Sequence, residues 1–138
     1  MNLKKRQKGV VAVEAALLLP ILLVLVFGII EFGVALYDKA VITNAAREGA
    51  RFGIVVATPP RQASDIQTVV NNYTSTYLLT FARGGATPLV TATGTGGSFG
   101  SSLAVTVTYT YTGLVLGPML AAITGPITLT STATMANE

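Results

Sequence analysis

The sequence predicts an α+β protein with one long N-terminal helix, a second amphipathic helix and a small antiparallel sheet of about three strands. Three observations carry this. A 21-residue apolar run at positions 10–30 follows a cluster of cations and is broken by one carboxylate, Glu14. Apolar residues recur at helical spacing at Ile66, Val69, Val70, Tyr73 and Tyr77. A period-two alternation of side chains, apolar on one face and mostly threonine on the other, runs through 103–112 and, less strictly, through 126–135.

The long helix comes first. Residues 10–30 would span about 32 Å as an α-helix, enough for a hydrocarbon core of about 30 Å. Lys4, Lys5, Arg6 and Lys8 precede the run and Glu31, Asp38 and Lys39 follow it. The positive-inside rule then keeps residues 1–9 cytoplasmic and puts everything after Ile30 outside. Pro20 lies within the run; it frees one backbone carbonyl, which neighbouring helices in a membrane can accommodate. An unpaired carboxylate inside hydrocarbon costs a few kcal/mol, so Glu14 is a functional-site candidate. Two other readings stay open: an ordinary secretory signal with a small-x-small cleavage pattern at Gly33-Val34-Ala35, and a plain anchor in which Glu14 snorkels to the interface.

The helical pattern continues without proline through residues 31–56, with Val34, Val41, Ala45 and Ala46 apolar or small, so one helix is expected from about Val10 to about Val55. Ala45, Gly49 and Gly53 are spaced by four. Such a row lets another chain segment pack closely, or else its glycines fray the helix end. Thr58-Pro59-Pro60 ends the helix. A second helix is expected from Asp65 to about Leu79, with Ser64 as N-cap and the tyrosines in core contact. Residues 83–102 are rich in Gly, Thr and Ser and read as an irregular loop around a short strand at 89–92. Residues 103–112 form a half-buried strand with Leu103, Val105, Val107, Tyr109 and Tyr111 on one face. A turn with a short helix is expected at 114–123, and a second strong strand at 126–135. The resulting organisation is a leader at 1–9, a transmembrane segment at 10–30, a helix continuation at 31–57 and a small extracytoplasmic α+β domain at 58–138.

Composition narrows the function. Charged residues make up only 11% of the chain, against the usual quarter, and the hydrophobic fraction is 51%. There is no cysteine and no histidine, which removes disulfides, thiolate metal sites and the commonest general base. No metal site or cofactor is expected. Of nine cations, four precede Gly9; beyond it five cations face six carboxylates. The net charge of +3 therefore belongs to the first residues, and no basic patch is left for nucleic acid. The glycines lack any phosphate-loop pattern. Asp38, Glu48 and Asp65 are isolated acids expected to be solvated, with no nucleophile–base pair, so no catalytic residue is assigned. Arg47, Glu48 and Arg51 form either a solvated face with weak surface pairs or a docking patch for a partner.

The segments Lys8-Gly9-Val10-Val11-Ala12-Val13-Glu14-Ala15-Ala16-Leu17-Leu18-Leu19-Pro20, Gly28-Ile29-Ile30-Glu31-Phe32-Gly33 and Thr43-Asn44-Ala45-Ala46-Arg47-Glu48-Gly49-Ala50-Arg51, with the closing 129–135 strand, resemble TadE-like pseudopilins. These are minor pilin-like subunits of tight-adherence (Flp) pilus systems. The resemblance implies a pilin-like fold and cleavage by a prepilin peptidase between Gly9 and Val10. It also implies assembly with other pilin or pseudopilin subunits through the inner-membrane assembly platform. The subunit would sit in a bacterial inner membrane and, after processing, in an extracellular pilus. Glu14 would be the fifth residue of the processed chain, able to pair with the new α-amino group of a neighbour. Ala15 follows this glutamate where related major pilins usually place an aromatic.

Overall fold

In the computed structural model, α1 spans Leu3–Gly53, 51 residues, about 77 Å of helix. The structure describes residues 3–81, 87–114, 117, 121 and 125–138. The helix departs from expectation at both ends. It already includes residues 3–9, because Leu, Lys, Arg and Gln are all good helix formers. It stops at Gly53 rather than near Val55, since Ile54, Val55 and Val56 are β-branched and lose rotamer freedom in a helix. The N–H of Ile54 still bonds to the Ala50 carbonyl at 3.1 Å.

The two parts of α1 have different surroundings. The side chains of 10–25 are all exposed, and those of 26–30 exposed or half-buried. From Glu31 onward one stripe is buried: Glu31, Asp38, Val41, Ile42, Ala45, Ala46, Gly49, Ala50 and Gly53. Against it pack α2, Ala63–Tyr77, and a three-stranded antiparallel sheet.

The helix α2 starts two residues before the expected point. Its cap is Gln62, not Ser64, and Asp65 is the third helical residue, whose Oδ2 accepts the Gln62 N–H at 2.9 Å. That return bond is half of a capping box and fixes the start. The buried face is Ile66, Val70 and Thr74. The tyrosines expected in the core lie at its margin: Tyr73 is half-buried, Tyr77 is exposed, and their rings stack at 4.8 Å.

The strands are β1 (Leu89–Thr93), β2 (Ser102–Tyr111) and β3 (Ile127–Ala136), in the order β1-β2-β3. Val105 sits between Ala92 and Ala133, and Val107 between Val90 and Ser131. The alternation reads as expected: Leu103, Val105, Val107, Tyr109 and Tyr111 are buried, and threonines fill the other face. Gly94 begins the β1–β2 loop at φ +83°, where a Cβ would collide with the Ser102 carbonyl. Gln67 of α2 donates to the Val90 carbonyl at 3.0 Å, and Lys39 of α1 donates to the Thr130 carbonyl. Both edge strands are thus tied to the helices. The short helix expected at 114–123 lies largely outside the described residues, as do Gly84 and Gly85.

Candidate functional site

The projecting part of α1 is the first element of the site. Leu17, Ile21 and Val10 are 69%, 67% and 67% exposed, within an apolar surface, interrupted by Glu14, far larger than a soluble monomer shows. The helix is long and apolar enough to cross a membrane, and none of that stretch is buried by the chain's own domain. Glu14 is exposed on this rod. It lies one turn beyond Val10, on the same helix face. The Gly9–Val10 bond falls inside the helix.

The second element is the junction where the rod meets the domain. Glu31 and Asp38 are 8% and 0% exposed, two turns apart on the face turned to the sheet. The Tyr111 hydroxyl donates to the Glu31 carbonyl at 3.2 Å. The Leu79 N–H donates to Asp38 Oδ1 at 2.9 Å. Burial pushes the Asp38 carboxyl above the usual carboxylate range, and the Leu79 bond only partly offsets this. The hydroxyls of Tyr109 and Tyr111 are also pushed up, chiefly by burial. The negative charge of Glu31 and then Asp38 adds to this at Tyr111.

Asp38 therefore departs from the expectation that it is solvated. The three acids with catalytic potential are dispersed: Asp38 is buried, Glu48 is exposed on α1, and Asp65 caps α2. The signal for Asp38 was available in the spacing. It falls four residues after Val34 and four before Ile42, on the apolar stripe that runs on to Ala45. Glu31 leads the same stripe.

Ala45, Gly49 and Gly53 face the chain's own domain. A Cβ on Gly49 would lie 2.6 Å from Val70 Cγ2, and one on Gly53 would lie 2.6 Å from both Ile66 Cδ1 and Leu103 Cδ2. The row lets α2 and β2 approach α1. Arg47, Glu48 and Arg51 lie on the opposite, exposed face of α1, away from this contact.

The site is thus a solvent-bared apolar helix rooted in a small α+β domain. The model of the TadE-like protein family matches residues 9–51, so this stretch of α1 is similar to TadE-like proteins. The match covers Gly9, Val10, Glu14, Arg47, Glu48, Gly49 and Arg51, and stops before Gly53, α2 and the sheet. No curated protein and no solved structure matches the chain.

Proposed function

We propose that this protein is a non-enzymatic minor pilin-like subunit for assembly of a tight-adherence pilus or a related secretion machine. A prepilin peptidase cuts it between Gly9 and Val10. The cations before Gly9 stay cytoplasmic, residues 10–30 span the inner membrane, and the domain stands outside. The carrying observation is that the family match and the bared apolar rod coincide: 9–51 begins at the proposed cut and contains the whole span.

Assembly supplies what the rod lacks. Packed among other pilin-type helices, residues 10–30 trade lipid for protein neighbours. Glu14 then meets the α-amino group of Val10 on the next subunit, which offsets the cost of holding each charge in a dry setting. Arg47, Glu48 and Arg51, exposed on the outer face of α1, are placed to meet partner subunits or the assembly platform.

The deciding measurement is the intact mass and N-terminal residue of the protein from its own cells. Val10 at the N-terminus supports the processed subunit. Met1 would assign the chain to an unprocessed single-pass anchor carrying an extracytoplasmic binding module, and Leu36 to a secreted domain.

A further inference from the structure

A cavity of about 190 Å³ lies between α1 and the end of the sheet, lined by Gly28, Glu31, Phe32, Ala35, Tyr111 and Ile127. We propose that it seats a stretch of phospholipid acyl chain at the edge of the bilayer. The inference rests on the membrane-span reading of residues 10–30 given above.

Its depth is set by the helix. With Val10 at one boundary of the hydrocarbon core, Gly28 stands about 27 Å along the axis and Ala35 about 38 Å. The core is about 30 Å thick, and about 40–45 Å with headgroups. The cavity therefore straddles the far hydrocarbon boundary. Gly28, within the lipid-facing run of 10–30, lines it together with Glu31, Phe32 and Ala35 just beyond, so the cavity adjoins that surface. Phe32, 66% exposed, sits at the same level, about 33 Å along the axis, as aromatic residues do at membrane interfaces.

Size and charge select the occupant. A neighbouring helix is about 10 Å wide and cannot enter. The volume is below the several hundred Å³ that hold a whole drug-sized molecule, which leaves a segment of a thin chain. Glu31 on the wall disfavours an anionic headgroup nearby, so the fitting probe is a zwitterionic phospholipid.

The test is photolabelling of the full-length protein in phosphatidylcholine vesicles. One probe lipid carries a diazirine near the carbonyl end of its acyl chain, and a second carries it at the terminal methyl. The first should label peptides containing Tyr111 and Ile127, and the second the middle of residues 10–30. Gly28→Leu and Ala35→Leu, each filling the cavity from α1, should cause a several-fold loss of label at Tyr111 and Ile127 and leave mid-span labelling unchanged. Mid-span label without label on the two strand peptides overturns the cavity assignment alone. Loss of neither signal in both variants, each shown to be folded by circular dichroism, does the same. Absence of mid-span label overturns the membrane-span reading itself. A second copy seated in the cavity would exclude the probe as the protein-to-lipid ratio rises, and that result also overturns the proposal.

Discussion

The Leu79 N–H and Oδ1 of Asp38 are joined at 2.9 Å across 41 residues of sequence, fastening the exit of α2 to the middle of α1. The other carboxyl oxygen, Oδ2, is buried and has no hydrogen-bond partner among the described residues. Asparagine keeps an acceptor for Leu79 and removes the charge; alanine removes both. Asp38→Ala should cost about 1–3 kcal/mol through the stranded Leu79 N–H, whereas Asp38→Asn should be at least as stable as the parent at neutral pH. Denaturant unfolding of the detergent-solubilised protein, followed by circular dichroism, separates the two.

The same carboxyl gives a pH dependence of definite sign. Its folded-state pKa is raised by burial, so the folded state holds the proton more tightly than the unfolded chain, where Asp titrates near about 3.9. Stability from this group is fully present below that value and is lost as pH rises through the higher folded value. Tyr109 and Tyr111, shifted upward by the same burial, stay neutral throughout this range. Acidification from neutral towards pH about 4 should therefore recover stability at this site, and Asp38→Asn should flatten that part of the profile. A parent whose Asn variant shows an identical pH profile would contradict the buried carboxylate as its source.

Gly49 and Gly33 predict opposite responses to the same substitution. In a helix interior, Gly to Ala gains about 1 kcal/mol from backbone propensity. At Gly33 nothing lies within 4 Å of the added Cβ, so Gly33→Ala should stabilise by about that amount. At Gly49 the Cβ would meet Val70 Cγ2 at 2.6 Å and Ile66 Cγ2 at 3.3 Å. Both neighbours are β-branched and stiff, and overpacking costs about 1–3 kcal/mol. Gly49→Ala should be net destabilising. Unfolding midpoints of the two variants, measured side by side, check the sign.

The pattern of side chains revealed the elements better than their ends. The alternation of Leu103 to Tyr111 gave the central strand and its buried face, because a half-buried strand repeats every two residues. The apolar run gave the rod. The burial of Asp38 was legible only from its place on the Val34–Ile42 stripe, because its hydrogen-bond donor, Leu79, is supplied by a distant loop. The cap of α2 was misplaced because Asp65, a good first-turn acid, acts from the third position and reaches back to Gln62. The row Ala45, Gly49 and Gly53 told of close packing but not of its partner, since small residues admit any neighbour.

Processing can be probed by one substitution that leaves the domain untouched. Gly9 has no side chain to obstruct a peptidase bound at the Gly9–Val10 bond. Gly9→Glu places a bulky charge there and should leave the chain with its first nine residues, seen as an unshifted mass, while Gly9→Ala should retain partial cutting. Equal trimming of Gly9→Glu and the parent would remove this bond from consideration.

Glu14 is expected to matter after insertion rather than during it. It lies near one end of the 21-residue run, where its side chain can snorkel to the interface, so Glu14→Ala should still be recovered in the membrane fraction with its domain folded. In a helical assembly the carboxylate is removed from water, and a charge pair with the neighbouring Val10 amine is then the alternative to an uncompensated charge. Breaking a buried pair by removing one partner costs about 3–5 kcal/mol, enough to reduce incorporation by orders of magnitude at equal subunit concentration. Glu14→Gln should fail similarly, because it keeps the shape and loses the charge. Recovery of either variant in sheared surface filaments at the parent's level would refute the pairing, while normal membrane levels with depleted filaments would place the role of Glu14 in assembly.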